Sequence, residues 1–72
     1  MQTQLLMQNN LRVLRAAQRL TQDELARLIG VSRQTINAME AGKYVPSTVL
    51  ALKLSRVFGQ AVEKLFALEA DD

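Results

Sequence analysis

Side chains that each carry two hydrogen-bonding groups are concentrated in one short segment, V-S-R-Q-T-I-N-A-M-E-A-G-K at positions 31–43. Arg33 offers parallel N–H donors, and Gln34 and Asn37 each offer a donor next to an acceptor. These pairs match the edges of guanine and adenine in the major groove of DNA, where the methyl group of Thr35 suits the methyl group of thymine. We therefore predict base contacts by Arg33, Gln34, Thr35 and Asn37.

An ordinary solvated helix face is the alternative for the same side chains. Asn and Thr are mediocre helix formers and serve that purpose less well than Glu, Lys or Ala. Base contact is therefore favoured for Arg33 and Gln34, at the start of the predicted helix. The two alternatives are balanced for Asn37. For Thr35, contact with a base and contact with a phosphate are both open.

Contacts with the DNA backbone are predicted beside this segment. Gln22 begins a predicted helix, whose free amides and positive dipole end attract a phosphate. Ser32 and Lys43 flank the predicted reading helix and are expected to bind phosphates at its two ends. A solvated loop charge is the alternative for Lys43. From Arg12 and Arg19 we expect only diffuse attraction.

The charge distribution favours a polyanion partner on the N-terminal half of the chain. Six basic residues stand against three acidic ones between residues 12 and 43, for a net charge of +3, although the whole chain carries only +2. From residue 44 onward, three basic residues stand against four acidic ones, which gives −1. Double-stranded DNA is the polyanion expected at the positive end.

Composition argues against several other kinds of site. The 72 residues include no Cys and no His, which removes thiolate and imidazole metal ligands and the commonest general base. Three groups of carboxylates occur in the sequence. Asp23 and Glu24 suit the start of a helix, whereas Glu63 with Glu69 and the pair in the tail suit a solvated surface. The sequence has no Gly-rich phosphate loop and no nucleophile–base pair. We therefore expect neither an enzyme nor a bound metal or cofactor.

A single cytoplasmic domain is expected. The chain of 72 residues suffices for one small core, and no apolar run approaches the roughly 20 residues that span a bilayer. The N-terminus lacks the basic start and long apolar region of a signal peptide. Hydrophobic residues make up 49% of the chain but aromatic ones only 4%, which favours an aliphatic helical bundle. We divide the chain into a leader at 1–8, a domain at 9–68 and an acidic tail at 69–72.

Five short helices are predicted to position these side chains, so the fold class is all-α. Thr21 and Glu24 form a capping box, and Ser32 and Ser47 are N-caps. Glycines end the second, third and fourth helices. The fourth helix is apolar nearly all round and is therefore expected at the centre. The predicted ranges are about 9–18 (or an earlier start after Thr3), 22–29, 33–41, 48–58 and 62–68.

The link between the second and third helices is short enough to make them cross steeply. Gly30 ends one helix and Ser32 caps the next, and so tight a turn excludes an antiparallel pair. Ala26 supplies a small side chain where the helices pass. We therefore predict a helix-turn-helix, held to the core by Leu25, Ile29, Val31, Ile36 and Met39.

The segment T-Q-D-E-L-A-R-L-I-G-V-S-R-Q-T-I-N-A-M-E-A-G-K resembles the DNA-binding domain of phage-repressor-like regulators, the Xre family, which includes Cro and the lambda repressor. P-S-T-V-L-A-L-K-L-S-R-V-F-G and V-E-K-L-F continue the match, so the resemblance covers about residues 9–68. It implies a compact five-helix, lambda-repressor-like domain that binds operator DNA as a two-fold dimer and regulates transcription, most simply as a repressor. Ala61 departs from the family, which often has Ser or Thr there as the cap of the last helix.

The resemblance also implies roles for residues outside the reading helix. Gln22 would contact a phosphate and support Gln34. Arg15 looks like one more phosphate ligand, but the family pairs an arginine here with the glutamate that matches Glu40. The resemblance therefore implies a structural ion pair between Arg15 and Glu40, which would hold the first helix to the end of the third.

A homodimer is expected because one short reading helix makes too few base contacts for operator specificity. The candidate dimer surfaces are the fifth helix, with Leu65, Phe66 and Leu68, and the leader segment Leu5-Leu6-Met7. Burial in the core is the alternative for Leu65 and Phe66. The alternative function is a protein-binding adaptor or an antitoxin-like component whose main partner is a protein.

Overall fold

Five helices and two short strands make up the computed structural model, which describes residues 7–69. The elements in chain order are β1 (Gln8–Asn9), α1 (Leu11–Ala17), α2 (Gln22–Ile29), α3 (Arg33–Glu40), α4 (Thr48–Phe58), α5 (Val62–Leu65) and β2 (Phe66–Ala67). The predicted five-helix fold is therefore confirmed. Within residues 7–69, no helix is both long enough and apolar enough to cross a membrane.

The two ends of the described chain form an antiparallel strand pair, which the all-α prediction did not include. Asn9 pairs with Phe66, and Gln8 pairs with Ala67. The predicted fifth helix, 62–68, was wrong in its last three residues, because Phe66 adopts an extended conformation (φ −130°, ψ 149°) and ends α5. Ala61 precedes α5 and has no side-chain acceptor to cap it. An uncapped helix of four residues gives way to pairing with β1.

The start of α1 depends on the side chain of Asn9 rather than on that of Asn10. The Asn9 Oδ1 atom accepts a hydrogen bond from the amide of Leu11 at 3.1 Å, and its Nδ2 atom donates to the carbonyl of Met39 at 2.8 Å. Asn9 therefore satisfies a free amide at the start of α1 and adds a second donor to the carbonyl of Met39, which also accepts from the amide of Gly42. Asn10 stands directly before α1 with an exposed side chain, and that side chain makes no capping hydrogen bond within residues 7–69.

A left-handed residue turns the chain from α1 into α2. Arg19 has φ 57° and is the non-glycine residue with positive φ within residues 7–69. Its amide donates to the carbonyl of Ala16 at 3.0 Å, and the amide of Leu20 donates to the carbonyl of Arg15 at 3.0 Å. This is the Schellman pattern of hydrogen bonds at a helix end. It brings Thr21 into position to cap α2, where the amide of Glu24 donates to the Thr21 Oγ1 atom at 3.0 Å.

The helix-turn-helix is built around the left-handed Gly30 (φ 75°), whose amide donates to the carbonyl of Ala26. Ala26 is only 3% exposed, as expected for the small residue at a close helix crossing. Val31 is half-buried and packs against the core. The core within the described residues consists of Leu11, Leu25, Ala26, Ile29, Ile36, Met39, Leu54, Phe58 and Leu65.

The fourth helix is not enclosed by the other helices, contrary to the prediction from its composition. Leu54 and Phe58 are its buried residues, whereas Val49 is 61% exposed and Leu52 is 58% exposed. A chain of this length buries only about 60% of its surface, and it cannot cover every side of an apolar helix. The exposed side of α4 is therefore available for contact with another molecule.

We predict that Asn9→Ala lowers the free energy of unfolding by about 1–2 kcal/mol, because it removes a helix cap and one of the two hydrogen bonds that the carbonyl of Met39 accepts. Asn10→Ala is the matched control and should change the free energy of unfolding by less than about 0.5 kcal/mol, as for most surface substitutions. Urea unfolding followed by circular dichroism measures both. Equal losses for the two variants would contradict the assigned cap.

Candidate nucleic-acid interface

Helix α3 presents the predicted base-contact residues on the side away from the core. Arg33, Gln34 and Asn37 are exposed, whereas Ile36 is 0% exposed and Met39 is 1% exposed. Arg33 and Gln34 each lie three or four residues from Asn37 along the helix, so the three positions share one face. Their amide and guanidinium groups can meet a ligand surface without disturbing the packing of α3.

The start of α3 is fixed by Ser32, whose hydroxyl has two local contacts. Its Oγ atom accepts a hydrogen bond from the amide of Thr35 at 3.1 Å and lies 3.0 Å from the Thr35 Oγ1 atom. Ser32 is exposed and Thr35 is half-buried. The hydroxyl of Ser32 thus caps the start of α3.

The end of α3 is equally well defined, and it positions Lys43. Gly42 takes the left-handed conformation (φ 74°). The amide of Gly42 donates to the carbonyl of Met39 at 3.0 Å, and the amide of Lys43 donates to the carbonyl of Ala38 at 2.9 Å. The backbone of Lys43 is therefore held just beyond the helix, with its side chain exposed. Ser32 and Lys43 accordingly lie at opposite ends of α3.

Arg15 and Glu40 form an ion pair between α1 and α3. The Arg15 Nε atom lies 2.6 Å from the Glu40 Oε2 atom, and the Arg15 NH2 atom lies 3.2 Å from the Glu40 Oε1 atom. The third nitrogen, NH1, donates to the carbonyl of Leu20 at 2.8 Å. The Arg15 side chain is 17% exposed and that of Glu40 is 0% exposed. Each nitrogen of the Arg15 guanidinium is thus engaged within the protein rather than free for a phosphate.

Burial and hydrogen bonding act in opposite directions on Glu40. Burial alone raises the pKa of its carboxyl, but the hydrogen bonds from Arg15 and Gln22, together with the positive charges of Arg15 and Arg12, outweigh burial and hold the pKa below the ordinary value. The same hydrogen bond to Glu40 raises the pKa of Arg15. Because the folded pKa of Glu40 is depressed, its stabilisation is present above the ordinary Glu pKa of about 4.3 and is lost as the pH falls through the folded pKa.

Gln22 lies between Glu40 and Arg33, whereas the resemblance implied that it supports Gln34. The Gln22 Nε2 atom donates to the Glu40 Oε1 atom at 3.1 Å. The Arg33 Nε atom lies 3.5 Å from the Gln22 Oε1 atom. Arg33 is the first residue of α3 and faces the start of α2, whereas Gln34 is turned by about 100° around the helix axis. The predicted support of Gln34 by Gln22 is therefore not present as a hydrogen bond, and Arg33 is the residue of the polar face to which Gln22 is bonded.

The candidate dimer residues of the C-terminal segment differ in exposure. Leu65 is 1% exposed and belongs to the core, so it has no surface to offer to a second copy. Phe66 is half-buried and packs against the core. Leu68 is 71% exposed. Of the leader candidates, Met7 is half-buried, and Leu5 and Leu6 lie outside the described residues.

An apolar groove between α4 and α5 was missed by the sequence reasoning. Val45 is 53% exposed and Leu52 is 58% exposed. These two residues line a groove together with Met7, Ala51, Val62 and Phe66, which we call the α4–α5 groove. The run of apolar residues in α4 was the available signal, but composition alone could not tell which of them the small core would leave exposed.

Comparison with known proteins gives consistent matches over most of the chain. The helix-turn-helix family model HTH_3 matches residues 11–65. An uncharacterized HTH-type transcriptional regulator of Methanocaldococcus jannaschii is 50% identical over 66 residues, which cover 92% of this chain and 100% of that protein. The uncharacterized HTH-type transcriptional regulator YgzD of Bacillus subtilis is 42% identical over 66 residues, with coverage of 92% and 100%.

A similar fold occurs among solved structures. The restriction-modification controller protein C.AhdI of Aeromonas hydrophila superimposes with a TM-score of 0.70 and is 38% identical in sequence. The match covers 78% of this chain and 85% of that protein. Both the arrangement of the helices and the sequence are thus shared with this controller protein.

We predict that Arg15→Ala destabilises the fold, whereas Arg33→Ala leaves it nearly unchanged. Loss of one partner of a buried ion pair usually costs about 3–5 kcal/mol; about 2–3 kcal/mol is expected here, because Gln22 still donates to Glu40. Arg33 is exposed at the start of α3 and is the matched control. Thermal unfolding measures both variants. An Arg15→Ala variant as stable as the wild type would contradict the structural role of this ion pair.

Proposed function

The chain belongs to the helix-turn-helix family of DNA-binding transcriptional regulators, and on that premise we propose that it is a repressor that reads an operator with α3. The helix enters the major groove as part of a two-fold dimer. Arg33, Gln34 and Asn37 contact base edges, and Thr35 contacts a base or a phosphate. Repression needs nothing further than occupancy of the operator, because a bound protein blocks other proteins from the same DNA.

The observation that carries this proposal is the division of α3 into two faces. Its apolar side chains, Ile36 and Met39, are at most 1% exposed, so the core fixes the helix in place. Its exposed face bears side chains that bind base edges through paired hydrogen bonds. A major groove admits one α-helix of this kind, and the eight residues of α3 make about two turns.

Phosphate contacts are proposed at both ends of the reading helix. Ser32 and Lys43, both exposed, stand at the start and just beyond the end of α3. The amide of Gln22 lies at the start of α2, where the helix dipole favours an anion. Because the side chain of Gln22 is directed at Glu40 and Arg33, its backbone amide is the group we propose for the phosphate.

The proposed dimer uses the exposed apolar surface at the C-terminal end of the domain. Leu68 is 71% exposed and follows directly after β2. The α4–α5 groove has an apolar lining that includes Phe66, two residues before Leu68, so the two features lie close together in sequence. A second copy that covers Leu68 and part of this groove would remove apolar surface from water and present two reading helices to half-sites about one DNA turn apart.

Salt dependence and base preference test the DNA-binding proposal. Duplex DNA bound by the wild type should be selected from a random pool, and its affinity should be measured across salt concentrations. Lys43→Ala should reduce the slope of log affinity against log salt by about one, as expected for one phosphate contact. Arg33→Ala should weaken binding by about 1–3 kcal/mol and relax the preference at one base position.

The matched control for these variants is Arg56→Ala, which removes the same charge from α4, outside the elements that carry the proposed contacts. Its affinity and salt slope should stay close to those of the wild type. Failure of the wild type to enrich any duplex sequence, or an equal loss in all three variants, would contradict reading by α3.

Dimerisation is tested by Leu68→Glu, which places a charge on the proposed apolar surface and should weaken self-association by more than about tenfold. Leu28→Glu is the matched control, since Leu28 is 59% exposed but lies on α2. Sedimentation should be measured with and without the selected duplex. A wild type that stays monomeric on a two-fold site would contradict the proposed dimer.

A further inference from the structure

The Gln22 side chain bridges a buried acceptor and an exposed cation. Its Nε2 atom lies 3.1 Å from the Glu40 Oε1 atom, and its Oε1 atom lies 3.5 Å from the Arg33 Nε atom. The Glu40 side chain is inaccessible to solvent, whereas Arg33 is exposed at the start of α3. A chain of polar contacts therefore runs from the interior of the domain to the proposed DNA-binding face.

Glu40 determines which way the Gln22 amide points. An ionised carboxylate accepts hydrogen bonds and cannot donate them. Glu40 stays ionised near neutral pH because Arg15 pairs with it at 2.6 Å. If the Gln22 amide were reversed, its oxygen would face the Glu40 oxygen, acceptor against acceptor. The Nε2 atom of Gln22 must therefore face Glu40, and its Oε1 atom must face outward.

The outward-facing oxygen of Gln22 can only accept a hydrogen bond, and Arg33 is the donor that lies next to it. A separation of 3.5 Å is long for a hydrogen bond, so the contact restrains the exposed guanidinium without locking it. With the Nε atom of Arg33 directed at Gln22, its two terminal nitrogens remain free. These are the paired donors that a guanine edge or a phosphate accepts. The restraint reduces the side-chain freedom that Arg33 would lose on binding DNA.

We propose that Glu40 is a positioning residue for DNA binding, which acts through the Gln22 amide to orient the guanidinium of Arg33. This inference rests on the proposed function, because it assumes that Arg33 contacts DNA. It assigns Glu40 a second role beside its ion pair with Arg15. The two roles use different donors to the same carboxylate, and substitution of each donor therefore separates them.

Glu40→Gln is the test substitution because it keeps the size of the side chain and changes its polarity. In the orientation that keeps the shortest bond, from the Arg15 Nε atom, the introduced oxygen takes the Oε2 position and the introduced nitrogen takes the Oε1 position, toward Gln22. In this orientation the Gln22 amide reverses to offer its oxygen, and it presents an N–H group to the Arg33 Nε donor. The variant thus repels the guanidinium that the wild type attracts.

The experiment is a double-mutant cycle on DNA affinity. The wild type, Glu40→Gln, Arg33→Ala and the double variant are titrated with one selected duplex at one salt concentration, at a temperature where circular dichroism shows all four folded. We expect Glu40→Gln to weaken binding about fivefold in the wild-type background and to have no effect when Arg33 is already Ala, as for coupled residues. A merely structural Glu40 would weaken binding by the same factor in both backgrounds, which would overturn the proposal.

Two further variants guard against loss of folding. Gln22→Ala removes the bridge and leaves the Arg15–Glu40 ion pair, and its cycle with Arg33→Ala replaces the first one if Glu40→Gln does not fold. Arg15→Lys keeps a cation beside Glu40 and the Gln22 contact, so it should lower the melting temperature and leave the affinity unchanged. The proposal would be overturned if Glu40→Gln and Gln22→Ala bound DNA with the affinity of the wild type. It would also be overturned if their losses of affinity simply added to the loss caused by Arg33→Ala. A wild type that binds no duplex would instead refute the proposed function.

Discussion

A buried carboxylate at the end of α3 is the constraint on which the helix arrangement depends. The side chain of Glu40 is inaccessible to solvent, and an ionised group in that position is costly unless donors surround it. Those donors come from Arg15 on α1 and Gln22 on α2. Three helices must therefore meet at one point for the charge to be compensated. Burial alone holds α3 through only two fully buried side chains, so the polar contacts at its end define its orientation.

Short-range hydrogen bonds at the helix ends set the positions of the exposed groups. Ser32 caps the start of α3, and a left-handed Gly42 ends the turn that leads to Lys43. Asn9 joins the start of α1 to the carbonyl of Met39. Each contact satisfies a backbone group that a small domain cannot bury unpaired. Rigid helix ends are what allow a short helix to present side chains to DNA in a fixed register.

Local sequence signals predicted the helices well, but they could not predict contacts between residues that are far apart in sequence. The Thr21 capping box and the N-caps at Ser32 and Ser47 predicted the starts of α2, α3 and α4 correctly, because each cap bonds within three residues. The predicted fifth helix extended too far, because the end of α5 depends on the pairing of Phe66 with Asn9. The resemblance, rather than any local pattern, implied that Arg15 meets Glu40. The contact of Gln22 with Glu40 was missed for the same reason, because periodicity carries no information about residues so far apart in sequence.

The exposed apolar surface and the polar face of α3 place different demands on the chain. Leu52 and Leu68 are more than half exposed, which is unfavourable for a domain that remains alone, whereas the polar face of α3 gains nothing from the core. The proposed dimer would resolve both: it would cover apolar surface that the small core leaves open, and it would double the number of base contacts that one short helix offers. Association and DNA reading would then be linked, because each bound half-site favours the paired state. The small core thus leaves apolar surface exposed, and the α4–α5 groove is part of the surface that the proposed second copy would cover.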